Sequence, residues 1–354
     1  MFVKRTLTVL LFTCFGLVAY GQKVANDKAE GTVFSQMQIP YGSRLAGLGG
    51  VTVAIRDRDP SIVFANPSLL DSTHHNKAVL GYSNYFADIN YGVAAYSRSY
   101  KNLGHFMAAL KYMNYGKFTE TDYIGNELGT IHAVDYTLSL IYSRKVDTSV
   151  YIGASLNYLY SLMNKYSAMG IGVDLAATYN KPGSRFVASA ILKNIGYQLK
   201  SYTPGTRGNL PFDIQLAFSQ KLKHAPFRFH VAMDRLYKWD LTYKDPTEKP
   251  DIDPATGLEI TKDTTKFFYR LGQFGGKAMR HITPGAEILI GKNFYVDLGF
   301  NYRRREELKY SGRTGLAGFN FGFGLFVKRM SAALSYSKYH LAGTNVQMTF
   351  SYAF

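Results

Sequence analysis

The sequence has little cysteine, tryptophan or acidic charge. It contains one cysteine, Cys14, and one tryptophan, Trp239, in 354 residues. A single thiol excludes a disulfide framework and a cysteine-ligated metal site. Lysine and arginine total 41 against 25 aspartate and glutamate, so the formal net charge is +16. The apolar fraction of 46% excludes an intrinsically disordered chain, because such chains hold too few apolar residues to form a core.

Long apolar runs are also absent beyond the first two dozen residues. A transmembrane helix needs ~20 consecutive apolar residues, and the one sizeable run, 7–19, is shorter. It follows a short basic start and precedes Ala19 and Gly21, which are small residues suited to signal-peptide cleavage. We therefore predict a signal peptide over residues 1–21 and an exported protein. A membrane anchor is the less favoured alternative.

Aromatic residues and glycine are abundant, and apolar residues recur at every second position. The chain has 28 Tyr, 24 Phe and 33 Gly. In segment 294–302 phenylalanine, valine, leucine and tyrosine alternate with small or polar residues, and segments 150–160 and 319–325 repeat the pattern. Successive strand residues point to opposite faces, so each segment has one apolar and one polar face. Either a soluble sandwich or a membrane barrel produces this pattern.

Three features favour the membrane barrel. The segments run about ten residues, which matches a tilted strand crossing of ~9–11. Large aromatics sit at the ends of the apolar faces, as in an interfacial girdle. The chain finishes on a two-faced strand, 346–354, whose last residue is Phe354, and this resembles the closing strand of bacterial outer-membrane barrels.

We count fourteen candidate strands after residue 76. They begin near residues 77, 90, 104, 132, 149, 166, 185, 211, 226, 281, 293, 316, 330 and 344. Short links tend to alternate with long ones, and the predicted long links are 114–131, 196–210, 236–280 and 303–315. Outer-membrane barrels have an even strand number, short periplasmic turns and long external loops. The sequence therefore predicts an all-β fold, a 14-stranded antiparallel transmembrane outer-membrane β-barrel over residues 77–354, with 236–280 as the longest external loop.

Residues 22–76 do not fit the strand pattern. They hold a glycine-rich run, 42–50, and an Asn-Pro pair at Asn66 and Pro67. A barrel of this size has a lumen that needs filling, so we predict an N-terminal hatch inside the barrel; a flexible periplasmic tail is the alternative. Buried charges need partners. The expected hatch–barrel contacts involve Arg44, Arg56, Asp57, Arg58, Asn66, Pro67, Asp174, Asp213, Arg228, Asp234 and Asp297.

Catalytic and metal-binding motifs are missing. The sequence has no Gly-x-Ser-x-Gly, no His-Glu-x-x-His and no phosphate-binding loop. We expect no enzyme activity, no catalytic residue, no metal and no cofactor.

Function is expected in the external loops, because the barrel wall faces lipid. A short amphipathic helix within 265–280 is one feature, and it can dock a partner, cap the barrel or touch lipid. The basic run at 303–305 suits anionic lipopolysaccharide, whereas nucleic acid is not an expected partner. The candidate partner-binding residues are Tyr197, Tyr202, Trp239, Tyr243, Phe267, Phe268, Leu271, Phe274, Arg303, Arg304 and Arg305.

Several segments together resemble one family. A fourteen-strand barrel with an Asn-Pro hatch resembles the FadL superfamily. Within that superfamily, runs spread over most of the mature chain resemble the PorQ family of the type IX secretion system of Bacteroidetes. They begin at Ser43 (Ser-Arg-Leu-Ala-Gly-Leu-Gly-Gly), Phe64 (Phe-Ala-Asn-Pro-Ser-Leu-Leu), Lys111 (Lys-Tyr-Met-Asn-Tyr-Gly-Lys-Phe-Thr-Glu), Lys193 (Lys-Asn-Ile-Gly), Tyr202 (Tyr-Thr-Pro-Gly), Leu210 (Leu-Pro-Phe-Asp-Ile-Gln), His224 (His-Ala-Pro-Phe-Arg-Phe) and Trp239 (Trp-Asp-Leu-Thr-Tyr-Lys-Asp-Pro).

The resemblance implies a non-enzymatic anchor in the outer membrane. Its expected partners are a surface protein of the PorZ type and, in the same attachment complex, PorU and PorV. The PorV family is a related barrel and a competing identity, and a FadL-like transporter of hydrophobic small molecules is the rival function.

Overall fold

The computed structural model describes residues 32–242, 267–307, 315–338 and 343–354, with only the backbone of 267–271 and 273. The predicted signal peptide, the first part of the predicted hatch and Tyr243 lie outside the described residues. Among the helices that are described, none combines the length and the apolar character that a bilayer crossing requires.

Fourteen antiparallel strands form one closed barrel, as the sequence predicted. Each strand pairs with its neighbours in chain order, and the last pairs with the first through Lys77 and Ala353. The strands are β1 Lys77–Asn84, β2 Asn90–Tyr100, β3 Gly104–Thr121, β4 Glu127–Asp147, β5 Val150–Met163, β6 Tyr166–Tyr179, β7 Phe186–Lys200, β8 Asp213–Lys221, β9 Phe227–Met233, β10 Ile282–Ile290, β11 Phe294–Phe300, β12 Phe319–Val327, β13 Met330–Lys338 and β14 Thr344–Ala353.

The apolar and polar faces of the strands are reversed relative to those of a soluble barrel. Outward-facing Leu80, Phe229 and Met348 are 60%, 50% and 53% exposed. The inward positions between them hold buried serine, threonine, asparagine and acidic side chains, such as Ser139 and Glu287. An apolar exterior around a polar interior is the arrangement of barrels that face lipid.

The two ends of the barrel differ. Six short links, from 101–103 to 328–329, lie at the end where β1 begins and β14 finishes, which we call the turn end. The other end, the loop end, carries the longer links, including 201–212 and 234–281. The helices α2, Phe267–His281, and α3, Tyr302–Glu307, lie in links of the loop end, and the first of these corresponds to the predicted amphipathic helix.

One prediction about strand geometry was wrong. The predicted long link 114–131 is mostly strand, because β3 continues to Thr121 and β4 begins at Glu127. Side chains there are exposed or half-buried on both faces, so no apolar alternation marks the paired backbone. β10 contains Pro284 and Gly285 and still pairs regularly with both neighbours. Proline has no backbone N–H to donate, and Pro284 is tolerated in β10 because pairing with β11 begins only at Gly285.

Residues 32–76, which we call the interior segment, pack against the inner faces of the strands. The segment contains one short helix, α1 Ser43–Gly47, which packs against β11–β14. It also contains four 3₁₀ turns, of which Pro67–Leu69 packs against β4–β6. Its apolar side chains, including Val53 and Ile55, are fully buried. The largest core cluster joins them to inward residues of β1, β2, β3 and β4.

Candidate functional site: the barrel interior and the loop end

The backbone of the interior segment lies close against the wall at two glycines of the strands. A Cβ on Gly299 of β11 would lie 2.4 Å from the Leu48 carbonyl carbon, and one on Gly153 of β5 would lie 2.4 Å from that of Pro67. Any side chain at these positions would push the segment away from the wall. The two contacts lie on different sides of the barrel, so the segment spans its lumen.

Buried charges hold the interior segment at the β9–β10 side of the wall. The Arg44 side chain is 1% exposed and donates from Nε and Nη2 to Glu287 Oε1 at 2.8 and 2.6 Å. Its Nη1 lies 2.5 Å from Asp57 Oδ2. Arg228 of β9 reaches Glu287 at 2.7 Å and Asp57 at 3.6 Å. We call these four residues the arginine–carboxylate cluster.

In this cluster each charged side chain lies near two side chains of the opposite charge. The Arg44 guanidinium also lies 4.1 Å from the centre of the Tyr295 ring. Burial alone would raise the pKa of the Asp57 carboxyl, but Arg44 and Arg228 hold that pKa below its ordinary value. Removing one member of such a set leaves an uncompensated buried charge, which is strongly destabilising.

The Asn-Pro pair builds the second anchoring point. Asn66 caps the Pro67–Leu69 turn by accepting from Ser68 N, and its Nδ2 donates to the Val53 carbonyl at 3.2 Å. The Ser68 hydroxyl lies 2.7 Å from Thr178 Oγ1 of β6. The motif thus presents its polar atoms to both the interior segment and the wall.

Arg56 and Arg58 lie near the turn end. Arg56 donates to Asp71 at 2.5 Å and stacks 3.5 Å over the Tyr151 ring, so its carboxylate partner belongs to the interior segment and not to the barrel. Arg58 donates to the Lys292 carbonyl at 3.2 Å. Burial raises the pKa of Asp71, but hydrogen bonds from His74, Thr73 and Arg56 lower it below its ordinary value.

The remaining predicted hatch-contact residues have other surroundings. Asp174 accepts from Ser155, Asn157 and the Asn194 backbone, all within the wall. Asp213 accepts from Gln215 and the Arg235 backbone.

Asp234 and Asp297 differ from each other in their partners. Asp234 forms an ion pair with Arg303 at 2.6 Å. Asp297 is buried, and within the described residues neither of its carboxylate oxygens has a hydrogen-bond partner. In the part of the chain that the structure describes, no three His, Cys, Asp or Glu side chains come together as metal ligands.

The predicted basic loop at 303–305 is instead the short helix α3. Arg303 is 11% exposed because it pairs with Asp234, Arg304 donates to Asn320 at 3.2 Å, and Arg305 donates to the Gly315 carbonyl. Arg303 and Arg304 thus bind other groups of the loop end, whereas the hydrogen bond of Arg305 is exposed. The prediction missed this because charge spacing does not show which carboxylates lie above the barrel.

The candidate partner-binding aromatics fall in different places. Trp239 and Phe274 are 51% and 57% exposed and lie against each other, with ring centres 5.2 Å apart. The His281 ring stacks on the Trp239 ring with ring centres 5.6 Å apart. Its Nε2 lies 3.0 Å from the backbone carbonyl oxygen of Trp239. Tyr197 is 62% exposed on β7, whereas the Tyr202 hydroxyl contacts Ser161 of β5 at 2.5 Å. Phe267, Phe268 and Leu271 lie on α2, with side chains outside the described residues.

A cavity of about 390 Å³ lies between the interior segment and the loop end. Arg303, Arg304 and Glu307 line its loop-end side, and Tyr41 and Phe64 line the side of the interior segment. Gln36 and Thr52 also line it. Sequence reasoning missed these two residues, because an isolated glutamine or threonine carries no pattern.

The fold resembles solved structures of hydrocarbon channels. The Pseudomonas putida toluene transporter TodX matches with a TM-score of 0.53 and 11% identity over 89% of this chain and 98% of that one. The CymD monoaromatic hydrocarbon channel matches with 0.52 and 12% over 90% and 98%. A deltaS2 mutant of TodX gives 0.55 and 12% over 90% and 99%.

At this identity the likeness shows the fold alone, a closed antiparallel β-barrel like those of TodX and CymD. No protein-family profile and no curated protein sequence matches the chain.

Proposed function

We propose that this chain is a non-enzymatic anchor in the outer membrane whose loop end holds a surface protein. The observation that carries the proposal is the filled interior, in which the arginine–carboxylate cluster fixes the interior segment across the lumen. A barrel closed in this way offers its outer wall to lipid and its loop end to other proteins.

The segments that resemble the PorQ family refine this proposal. They support a place in the type IX secretion attachment complex, with a PorZ-like surface protein as the direct partner and PorU and PorV in the same complex. The exposed Trp239–Phe274 pair, with Tyr237 at 52% exposure beside it in the chain, gives the loop end the aromatic character that binding hot spots favour.

The test is retention of the partner by variant barrels. The barrel is purified by an affinity tag in mild detergent, and co-purifying proteins are identified by mass spectrometry. Trp239→Ala with Phe274→Ala is expected to lower the yield of a stoichiometric surface protein at least tenfold. Tyr123→Ala is the matched control, because Tyr123 is a 98% exposed aromatic in a different link of the same end. Equal retention by both variants would contradict the assignment of the partner site.

Transport of hydrophobic small molecules is the second candidate, favoured by the likeness to TodX and CymD. A shift in the pairing of β6 with β7 between Val173 and Leu175 offers a break in the wall. The charged lining of the cavity opposes passage of hydrocarbons, because desolvating lysine and arginine is costly. Bound lipid or hydrocarbon in the purified barrel, with no protein partner, would favour transport. Co-purification of several different cargo proteins would instead favour a PorV-like shuttle role.

A further inference from the structure

Two lysines face the loop-end cavity and form no direct ion pair within the described residues. Lys111 of β3 and Lys193 of β7 both line the 390 Å³ cavity and a small adjoining space of about 20 Å³. Within the described residues neither ammonium group forms an ion pair or a hydrogen bond to a protein group. The Lys111 ammonium lies 5.3 and 5.9 Å from the centres of the Tyr41 and Phe64 rings, which is a weak form of compensation.

The nearby carboxylates are engaged by other donors. Asp213 lies opposite Lys193 in the strand register, yet it accepts from Gln215 and from the Arg235 backbone. Asp174 accepts from two side chains and one backbone amide of the wall. At the outer rim, Asp234 and Glu307 are both near Arg303. Asp174 lines the small space beside both lysines and partly balances their charge. Within the described residues none of these carboxylates pairs directly with either ammonium group, so the ammonium N–H groups remain available to a ligand.

An unpartnered amide points to the same place. Gln36 is 2% exposed, lines both spaces, and has no hydrogen-bond partner at Nε2 or Oε1 within the described residues. Gln215 Oε1 and Thr52 Oγ1 also lie at the cavity and have no hydrogen-bond partner within the described residues. Buried polar atoms without partners are rare in folded proteins and call for a ligand or water.

We propose that this cavity binds a single oxyanion group, a phosphate or carboxylate, between Lys111 and Lys193 with the Gln36 amide as a third donor. Two ammonium groups and a neutral N–H form charge-assisted hydrogen bonds with such a group. The adjoining space is large enough for about one water or one oxygen of the anion. The remaining volume, lined on one side by Tyr41 and Phe64, accepts a small organic substituent of the ligand.

Binding of inorganic phosphate is the direct measurement. The purified full chain in phosphatidylcholine nanodiscs is titrated by equilibrium dialysis with radiolabelled phosphate at low and high salt. Saturable binding of one phosphate per barrel, weakened by salt, is expected. Lys111→Gln with Lys193→Gln is expected to weaken it at least tenfold, and Gln36→Leu several-fold. Lys221→Gln, at an exposed lysine near the turn end, is the matched control and is expected to bind as the parent does.

A second arm separates a soluble ligand from a lipid headgroup. The titration is repeated in nanodiscs that contain phosphatidic acid. Loss of phosphate binding there identifies the lipid headgroup as the occupant, whereas unchanged binding identifies a soluble oxyanion. Both results support the site.

Absence of saturable binding in both nanodiscs, or equal binding by the parent and the double lysine variant, would overturn the proposal. Heat-dependent migration in gels shows that each variant is a folded barrel. Partner retention is measured separately, so a negative result for the anion site can be distinguished from a negative result for the anchoring role.

Discussion

At the scale of residues, one arginine joins the interior segment to the wall. Arg44 and Glu287 are 243 positions apart in the chain, and both are buried. An ion pair in such a place specifies a single seating of the segment, because any other position leaves two charges buried without partners.

Replacing Arg44 by Gln tests this role. The change leaves Glu287 and Asp57 with only Arg228, and it is expected to lower the free energy of unfolding by about 3–5 kcal/mol. Urea titration in lipid vesicles, followed by tyrosine and tryptophan fluorescence, measures it. Lys221→Gln should stay within about 0.5 kcal/mol of the parent, as exposed substitutions do. A loss in Arg44→Gln no larger than in this control would show that the cluster does not hold the segment.

At the scale of elements, the 3₁₀ turn Pro67–Leu69 docks on β5 by backbone contact. Gly153 permits this approach because it has no Cβ. The turn also depends on its Asn66 cap and on the Ser68–Thr178 contact. Its position is therefore set by packing and by hydrogen bonds together.

Gly153→Ala is expected to displace this turn. The new methyl would lie 2.4 Å from the Pro67 carbonyl carbon and from Ser68 N, so the interior segment becomes accessible to protease from the turn end. Gly129→Ala is the matched control, because nothing lies within 4 Å of a Cβ there. Limited proteolysis with N-terminal sequencing compares the two variants. Equal resistance in both would mean that the segment does not pack against β5 as described.

At the scale of the whole molecule, the filled interior predicts a closed barrel. In planar bilayers we expect no large permanent conductance from the parent chain and frequent openings from Arg44→Gln, because the variant releases one side of the interior segment. A wide, steady pore in the parent would contradict the anchor proposal and favour an ordinary water-filled channel.

The response to pH is a second property of the whole molecule. The pKa values of Asp57 and Asp71 are both lowered in the folded state, below the ordinary value of about 3.9. Their stabilisation is therefore complete above about pH 4 and is lost as the pH falls through the folded-state values. Protease protection of the interior segment should be constant from about pH 8 to 5 and decrease below about pH 4. A decrease centred near neutral pH would require another titrating group.

The sequence alone determined the barrel. Strand periodicity is a local property, so residues such as Phe294 and Val296 showed the apolar face without knowledge of their neighbours, and most predicted strand starts lie within three residues of the observed ones. Where both faces of a strand are exposed, as at the tips of β3 and β4, the same signal was absent and the prediction was wrong.

Only the tertiary structure decided which charges meet. The sequence marked Arg44, Asp57 and Arg228 as inward residues but not that they converge on Glu287, and it placed Arg303 in an open loop although it lies against Asp234. It also gave no sign that Lys111, Lys193 and Gln36 share one cavity. The physical reason is that contacts across a lumen depend on barrel closure and register, which join residues far apart in the chain, whereas sequence pattern reports only the residues within a few positions of each other.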